Sequence, residues 1–343
     1  MTLLDYLIPL FYKPLWHLFK TNDVAFYAVD PLDYEMFLSI KKHLDIKLIY
    51  IAKNKKTRDY FQRKGIPFKR YPAFPSAVIM GRHAAYKFPV HQIKKIGFDH
   101  GLYQFKRWTN VKLYNQFDVY FVSSEEQVNT AIGMGINTAR AIGYPKLDKL
   151  FDGSIGSDDL QKLKEKKGLD GHKKTIIFTS TWDVAGLSAI ERWIDRVGDL
   201  SDKYNVLLTA HPWTKANILT KLRKIEGAFY LEESDISSNL LLADVFVGDY
   251  NSLIGEFCAL DKPIITFRVP ESGRTVPDVM EMISKISYQV DNFDEIPAAI
   301  EHCLQYPEEK QKERRAANKK LFLALDGKAG ERAAEFIKNI ISN

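Results

Sequence analysis

One stretch limits the folds open to this chain more than any other. Val245 to Phe267, VFVGDYNSLIGEFCALDKPIITF, runs from an apolar strand through a polar turn into a short helix, then breaks at Lys262-Pro263 and enters a second apolar strand. That order fits an open α/β sheet, in which ligands bind beyond the carboxyl ends of the strands. Gly248, Asp249, Tyr250, Asn251 and Ser252 fall on the turn. Its backbone N–H groups and the positive end of the helix dipole suit an anion such as phosphate, a property shared by any tight turn of this kind.

The same rhythm runs through the rest of the chain. VAFYAV and KLIYIA alternate with helical patterns at Tyr34 to His43 and Thr57 to Lys64, and KKIGFDHGL and FDVYFVSSEEQ continue the series. A polar, glycine-bearing stretch then follows, and KTIIFTSTWD, YNVLLTAHPW and ADVFVGDYNSLIGEF restart it. A chain of 343 residues exceeds a typical single core. Two α/β domains are expected, over 1–152 and 153–310, with carboxyl-terminal helices over 311–343 packing back on the first. The charges from Glu308 to Arg315 read as a solvated helix face.

In the second domain three successive strands deliver polar groups at their carboxyl ends. These are Thr179, Ser180 and Thr181; His211; and Asp249, Asn251 and Ser252. Parallel strands present such ends along one edge, so their convergence says more than any single turn. In the first domain His100 precedes Gly101 at the end of a short strand. Glycine lets a ligand approach the backbone there, and imidazole exchanges protons near neutral pH. A loop histidine that only caps or hydrogen-bonds is the competing reading.

Charge is divided unevenly. Residues 1–150 carry 23 Lys and Arg against 12 Asp and Glu, a net +11, which leaves −5 for the remainder of a chain of net +6. A basic first half suits an anionic partner such as a membrane surface or a phosphate polymer. Aromatic residues interleave with the charges from Lys53 to Arg70, but no RNA- or DNA-binding signature accompanies them, and nucleic acid is not an expected partner. Cys258 and Cys303 form no CxxC or metal-ligand pattern, so neither disulfide framework nor metal is expected. The amino-terminal MTLLDYLIPLFYKPLWHLFK is too interrupted for a signal peptide or a membrane span. Phe11, Leu15, Trp16 and Phe19 with Lys13, His17 and Lys20 fit an interfacial helix, and equally an arm packed on the domain.

Taken in order, GFDHGL, GYPKLDKLF, TSTWD, AHPW, GDYNSLIGEF with ALDKPIITF, and DGKAGERAAEFI resemble the CDP-glycerol glycerophosphotransferase family, whose members build teichoic-acid-type polymers. The resemblance spans roughly Ile96 to Ile340 and fades over the first ninety residues. It implies a GT-B fold, with two facing Rossmann-like domains and an interdomain cleft. It also implies a nucleotide-binding second domain, no cofactor beyond a CDP-alditol donor, and a peripheral position on the cytoplasmic face of the cell membrane. The activity implied is transfer of an alditol phosphate, glycerol phosphate foremost, to a hydroxyl of a lipid-linked or anionic polymer acceptor with release of CMP.

By resemblance His100 is the expected general base and His211 the group that contacts phosphate or protonates the leaving group. Thr181, Asp249, Asn251 and Ser252 would hold the diphosphate, and Glu256 would accept from ribose hydroxyls. Arg268 and Arg274 are candidate charge clamps. Leu102 and Tyr103 stand where the family commonly has Thr-Pro, Asp183 stands in place of an arginine, and Asn251 replaces a serine. Those departures leave open a UDP-sugar glycosyltransferase, a non-hydrolysing UDP-N-acetylglucosamine 2-epimerase-like enzyme, and an inactive nucleotide-binding scaffold.

Overall fold

The computed structural model describes residues 3–99, 101–103, 105, 109–182, 187–211, 213–233, 235–271 and 276–342, and for residues 3–9 the backbone alone. The chain forms two compact units, residues 1–151 with 322–343 and residues 152–321. The first holds seven strands: β1 (Val24–Ala28), β2 (Leu48–Ala52), β3 (Lys69–Arg70), β4 (Ala77–Met80), β5 (Lys94–Phe98), β6 (Val119–Val122) and β7 (Ala139–Ala141). The second holds six: β8 (Thr175–Phe178), β9 (Asn205–Leu208), β10 (Ala228–Tyr230), β11 (Val245–Gly248), β12 (Ile264–Phe267) and β13 (Tyr288–Val290).

Each sheet is doubly wound. The strand orders are β3-β2-β1-β4-β5-β6-β7 and β10-β9-β8-β11-β12-β13, and the described pairings are parallel. In both, the order reverses beside the unit's first strand, between β1 and β4 and between β8 and β11. A crevice opens at such a switch point because the flanking connections leave to opposite faces of the sheet.

The central strands β1, β4, β8, β11 and β12 are largely apolar and fully buried because both faces are covered, whereas edge strand β3 is the exposed pair Lys69–Arg70. Side-chain alternation then sorts them: Ile176, Phe178, Val206 and Leu208 enter one core with Trp193, while Ile177, Leu207 and Phe246 enter another with Phe257. In the first unit, Ala25, Tyr27, Val78 and Met80 pack with Phe88 and Tyr120.

The carboxyl-terminal helices part company. Helix Gln311–Leu321 stays with the second unit, and only helix Ala329–Ser342 belongs to the first. The expected solvated face holds at Glu308, Glu309, Lys312, Glu313 and Arg315, which are exposed, and fails at one position. Arg314 is buried, donating from Nε to Asp261 Oδ1 at 3.1 Å and from a terminal amino group to the Pro307 carbonyl at 2.8 Å. Helix Ala329–Ser342 is anchored where Asp148 accepts from the Ala329 and Gly330 amides at 3.0 and 2.7 Å. Gly330 is required there, since a Cβ would lie 2.2 Å from the Ser39 carbonyl oxygen.

The amino-terminal helix, Leu3–Phe19, packs on the first unit as an arm. Tyr12 and Trp16, four apart on one face, are buried and donate to the Ala73 and Pro75 carbonyls at 2.6 and 3.0 Å. Trp16 therefore leaves the proposed interfacial face. Phe11, Leu15 and Phe19 of that set are exposed, at 66, 37 and 59%, and Leu10 and Leu18 are exposed beside them.

Candidate functional site

The second unit's switch point is organised by Asp249. Its strand ends on Gly248, where a Cβ would meet the Phe246 ring at 2.7 Å and Thr179 Cγ2 at 3.2 Å. Glycine thus lets β11 close against β8 immediately before the aspartate. Asp249 has no exposed surface. Its Oδ1 accepts from the Thr181 amide at 2.8 Å, and its Oδ2 from the Ala189 amide at 2.8 Å and from Ser180 Oγ. Asn251 Nδ2 adds a longer bond of 3.3 Å. Burial pushes the carboxyl above the ordinary aspartate range, against the pull of these donors.

This geometry bears on the expected donor-binding residues. With no exposure and its oxygens occupied, Asp249 ties the end of β8 to the end of β11. Asn251 is also engaged, its Oδ1 accepting from the Leu253 amide at 3.0 Å and so capping helix Leu253–Cys258. Ser252 caps nothing through its side chain. Glu256 sits in the first turn of that helix at 2% exposure, which leaves almost none of its surface for ribose hydroxyls. Thr181, held by its own amide, is 8% exposed.

His211 follows β9, its amide continuing the sheet by donating to the Ser180 carbonyl at 3.2 Å. Its Nδ1 accepts from the Trp213 amide at 3.1 Å. A ring nitrogen that accepts carries no proton, so the neutral imidazole bears its hydrogen on Nε2. Trp182 and Trp213 close around it, with centroids 6.1 and 5.4 Å from the imidazole. Arg268 is exposed and pairs with Asp291 at 2.7 Å. It borders a cavity of about 320 Å³ at the ends of β11 and β12, lined also by Tyr250, Thr266, Met280, Ser284 and Gln289. His100 and Arg274 lie outside the described residues.

The first unit's switch point carries groups that the sequence reading passed over. Buried Asp33 accepts from the Val29 and Asp30 amides through Oδ2, at 2.9 and 3.0 Å, and from Arg82 Nε through Oδ1 at 2.9 Å. Next to Arg82, His83 Nε2 lies 3.1 Å from Tyr114 Oη and 3.9 Å from Asp99 Oδ2, and its ring stacks on Tyr120. The available signal was the one used elsewhere: Gly81, Arg82 and His83 directly follow the apolar run AVIM. Counting Arg82 as one more positive charge concealed it.

Comparison with known proteins agrees with this layout. The family model described as CDP-Glycerol:Poly(glycerophosphate) glycerophosphotransferase matches residues 88–339. The teichoic acid poly(ribitol-phosphate) polymerase of Bacillus spizizenii is 27% identical over 246 residues, which cover 66% of this chain and 38% of the polymerase. The chain thus spans well under half the length of that relative. Among solved structures, the wall teichoic acid polymerase TagF superposes with a TM-score of 0.72 at 17% identity, covering 98% of this chain and 92% of that one. The UDP-GlcNAc 2-epimerase of Neisseria meningitidis reaches 0.60 at 13% identity, covering 94% and 100%. At such identities the likeness concerns the fold, and it bears out the expected GT-B class.

Proposed function

The chain belongs to the CDP-Glycerol:Poly(glycerophosphate) glycerophosphotransferase family, and from that premise we propose that it transfers an alditol phosphate from a CDP-alditol to a hydroxyl of a lipid-linked or polymeric acceptor. The observation that carries this reading is the second unit's switch point, where hydroxyl and imidazole donors gather at the carboxyl ends of β8, β9 and β11 around a carboxylate that only braces them. Hydroxyl and imidazole donors suit a diphosphate.

In the reaction the acceptor oxygen bonds to the alditol-bearing phosphorus while the bond from that phosphorus to the CMP oxygen breaks. His100 takes the acceptor's proton. His211, with its hydrogen on Nε2, donates to the phosphate or to the departing CMP oxygen. The Thr181 and Ser252 hydroxyls bind the diphosphate, with Asn251 positioning Ser252. The 320 Å³ cavity takes the nucleoside, with Arg268 at its border. Such catalysis consists of positioning and charge stabilisation, and it needs no cofactor beyond the donor.

The amino-terminal helix supplies the membrane contact. Phe11, Leu15 and Leu18 form one stripe, Leu10 and Phe19 flank it, and Lys13, His17 and Lys20 follow in sequence. An apolar stripe beside cations favours an anionic lipid surface and supports a peripheral position on the cytoplasmic leaflet. No helix among the described residues is long and apolar enough to cross a membrane.

Phosphorus NMR with CDP-glycerol, CDP-ribitol and UDP-sugars, offered with a lipid-linked acceptor, tests the reaction. CMP and a new phosphodiester are expected from a CDP-alditol, and turnover of UDP-sugar alone would refute the reading. Co-sedimentation with phosphatidylglycerol vesicles tests the surface. Binding should fall when Phe11 and Leu18 are both changed to serine, and binding indifferent to that change and to anionic lipid would remove the helix from the account.

A further inference from the structure

We propose that Trp182 and Trp213 form an aromatic wall that holds the hydroxylated carbon chain of a phosphorylated polyol beside His211. Trp213 is 61% exposed, and none of the hydrophobic cores among the described residues includes it. The other exposed large apolar side chains described in the second unit, Tyr288 and Tyr306, lean on His302, and Tyr288 opens β13 at its amino end. Trp213 instead stands at the carboxyl edge, two residues from His211. An indole left in water at a ligand edge is the informative kind of exposed apolar group.

The wall has a definite shape. The Trp182 and Trp213 rings meet at 63° with centroids 4.8 Å apart, and Trp213 meets the imidazole at 76° and 5.4 Å. The Trp213 main chain is meanwhile committed to His211, through the amide that sets the ring proton on Nε2. One residue therefore fixes the donor with its backbone and presents an apolar face beside it with its side chain. A ligand that uses both has an anionic oxygen for Nε2–H and, within a few bonds, C–H groups to lie against indole. A polyol phosphate has that sequence of groups. In a nucleotide the base is separated from its phosphates by the ribose, and the cavity bordered by Arg268 provides for it elsewhere.

This inference rests on the proposed transfer for the identity of the polyol, which arrives either on the donor or at the growing end of the acceptor. It makes Trp213 a specificity-determining residue: a longer chain covers more indole, so a five-carbon alditol depends on it more than a three-carbon one.

Calorimetry of wild type, Trp213→Ala and Trp213→Phe with CMP, CDP-glycerol and CDP-ribitol reads the donor arm, and the KM for a soluble acceptor ending in an alditol phosphate reads the other. If the donor brings the chain, Trp213→Ala weakens CDP-ribitol by about tenfold and CDP-glycerol by less, leaves CMP unchanged, and is largely rescued by Trp213→Phe. If the acceptor brings it, the acceptor KM rises by about tenfold and the donor constants stay put. Unchanged constants in both arms overturn the proposal, as does an equal loss for CMP, which would assign the wall to the base. Should wild type bind no cytidine nucleotide, the transfer reading fails, and saturation-transfer NMR with ribitol phosphate decides the wall separately. Contact with wild type that Trp213→Ala loses upholds it, and no contact overturns it.

Discussion

Two switch points with the same strand order use a buried aspartate in different ways. In the first unit Asp33 divides its work, one oxygen on two backbone amides and the other on Arg82. In the second, each oxygen of Asp249 receives a backbone amide, from Thr181 and from Ala189. The first arrangement fixes a side-chain cation at the edge of the sheet, and the second fixes the main chain of two loops. A glycine precedes each centre. At Gly81 a Cβ would lie 2.9 Å from Asp33 Cβ, and at Gly248 it would meet Phe246 and Thr179. The fold thus supplies the same crevice twice, and the partners of one carboxylate decide whether it displays charge or a braced rim of donors.

The functional division is the largest effect to test. His100→Ala in the first unit should lower turnover by at least about a hundredfold while leaving CDP-alditol affinity intact, whereas Ser252→Ala in the second should weaken donor binding. Single-turnover rates and donor dissociation constants separate the two, and equal effects on both quantities from either variant would erase the contrast.

Next comes the amide variant of each centre. An asparagine at position 249 must turn its NH₂ toward the Thr181 or the Ala189 amide, so Asp249→Asn should cost about 2 kcal/mol in urea unfolding of the intact chain. An asparagine at position 33 can keep its oxygen on the two backbone amides and turn its NH₂ to Arg82. The Arg82 side chain is 25% exposed and can swing to water, so Asp33→Asn should cost about 1 kcal/mol. A reversed order would show that the ion pair, not the braced main chain, is the stronger device.

The glycines sharpen the same point. Gly81→Ala and Gly248→Ala should each cost about 1–2 kcal/mol by overpacking, while Gly101→Ala, with nothing within 4 Å of its Cβ, should be nearly neutral by the same measurement. Gly81→Ala should in addition displace Arg82, because Asp33 is held by two amides and cannot yield.

The smallest effect is in pH. Burial holds both carboxyls above the ordinary aspartate range, so the folded-state pKa of each exceeds its unfolded value. The contribution of such a group is complete below the unfolded value and is lost as pH rises through the folded one. From about pH 4 upward, wild type should therefore lose stability relative to Asp249→Asn. Urea midpoints that diverge in the opposite sense would mean that the donors outweigh burial.

Much of the fold was legible because burial on both faces writes each strand as a short apolar run, and polar residues at the carboxyl ends flag an edge. That rule found Thr181, His211 and Ser252. It marked Asp249 too but not its burial, because an aspartate in a turn looks alike whether it faces water or the interior. Arg82 and His83 satisfied the same rule, yet in a basic stretch they read as surface charge.

By itself the sequence determined the two-fold α/β rhythm, the strand ends that carry polar groups, and the ordered motifs that mark the family, all of which depend on residues close together along the chain. Only the tertiary structure decided what those residues touch. Asp33 meets Arg82 across 49 positions, Asp249 meets Ser180 across 69, and Gly330 meets Asp148 across 182. Parallel sheets cause this, because their crossovers bring strand ends together in an order that chain spacing does not encode. The same is true of Trp213. Its identity was plain in the sequence, but its exposure and its hold on His211 exist only once β9 has been laid beside β8.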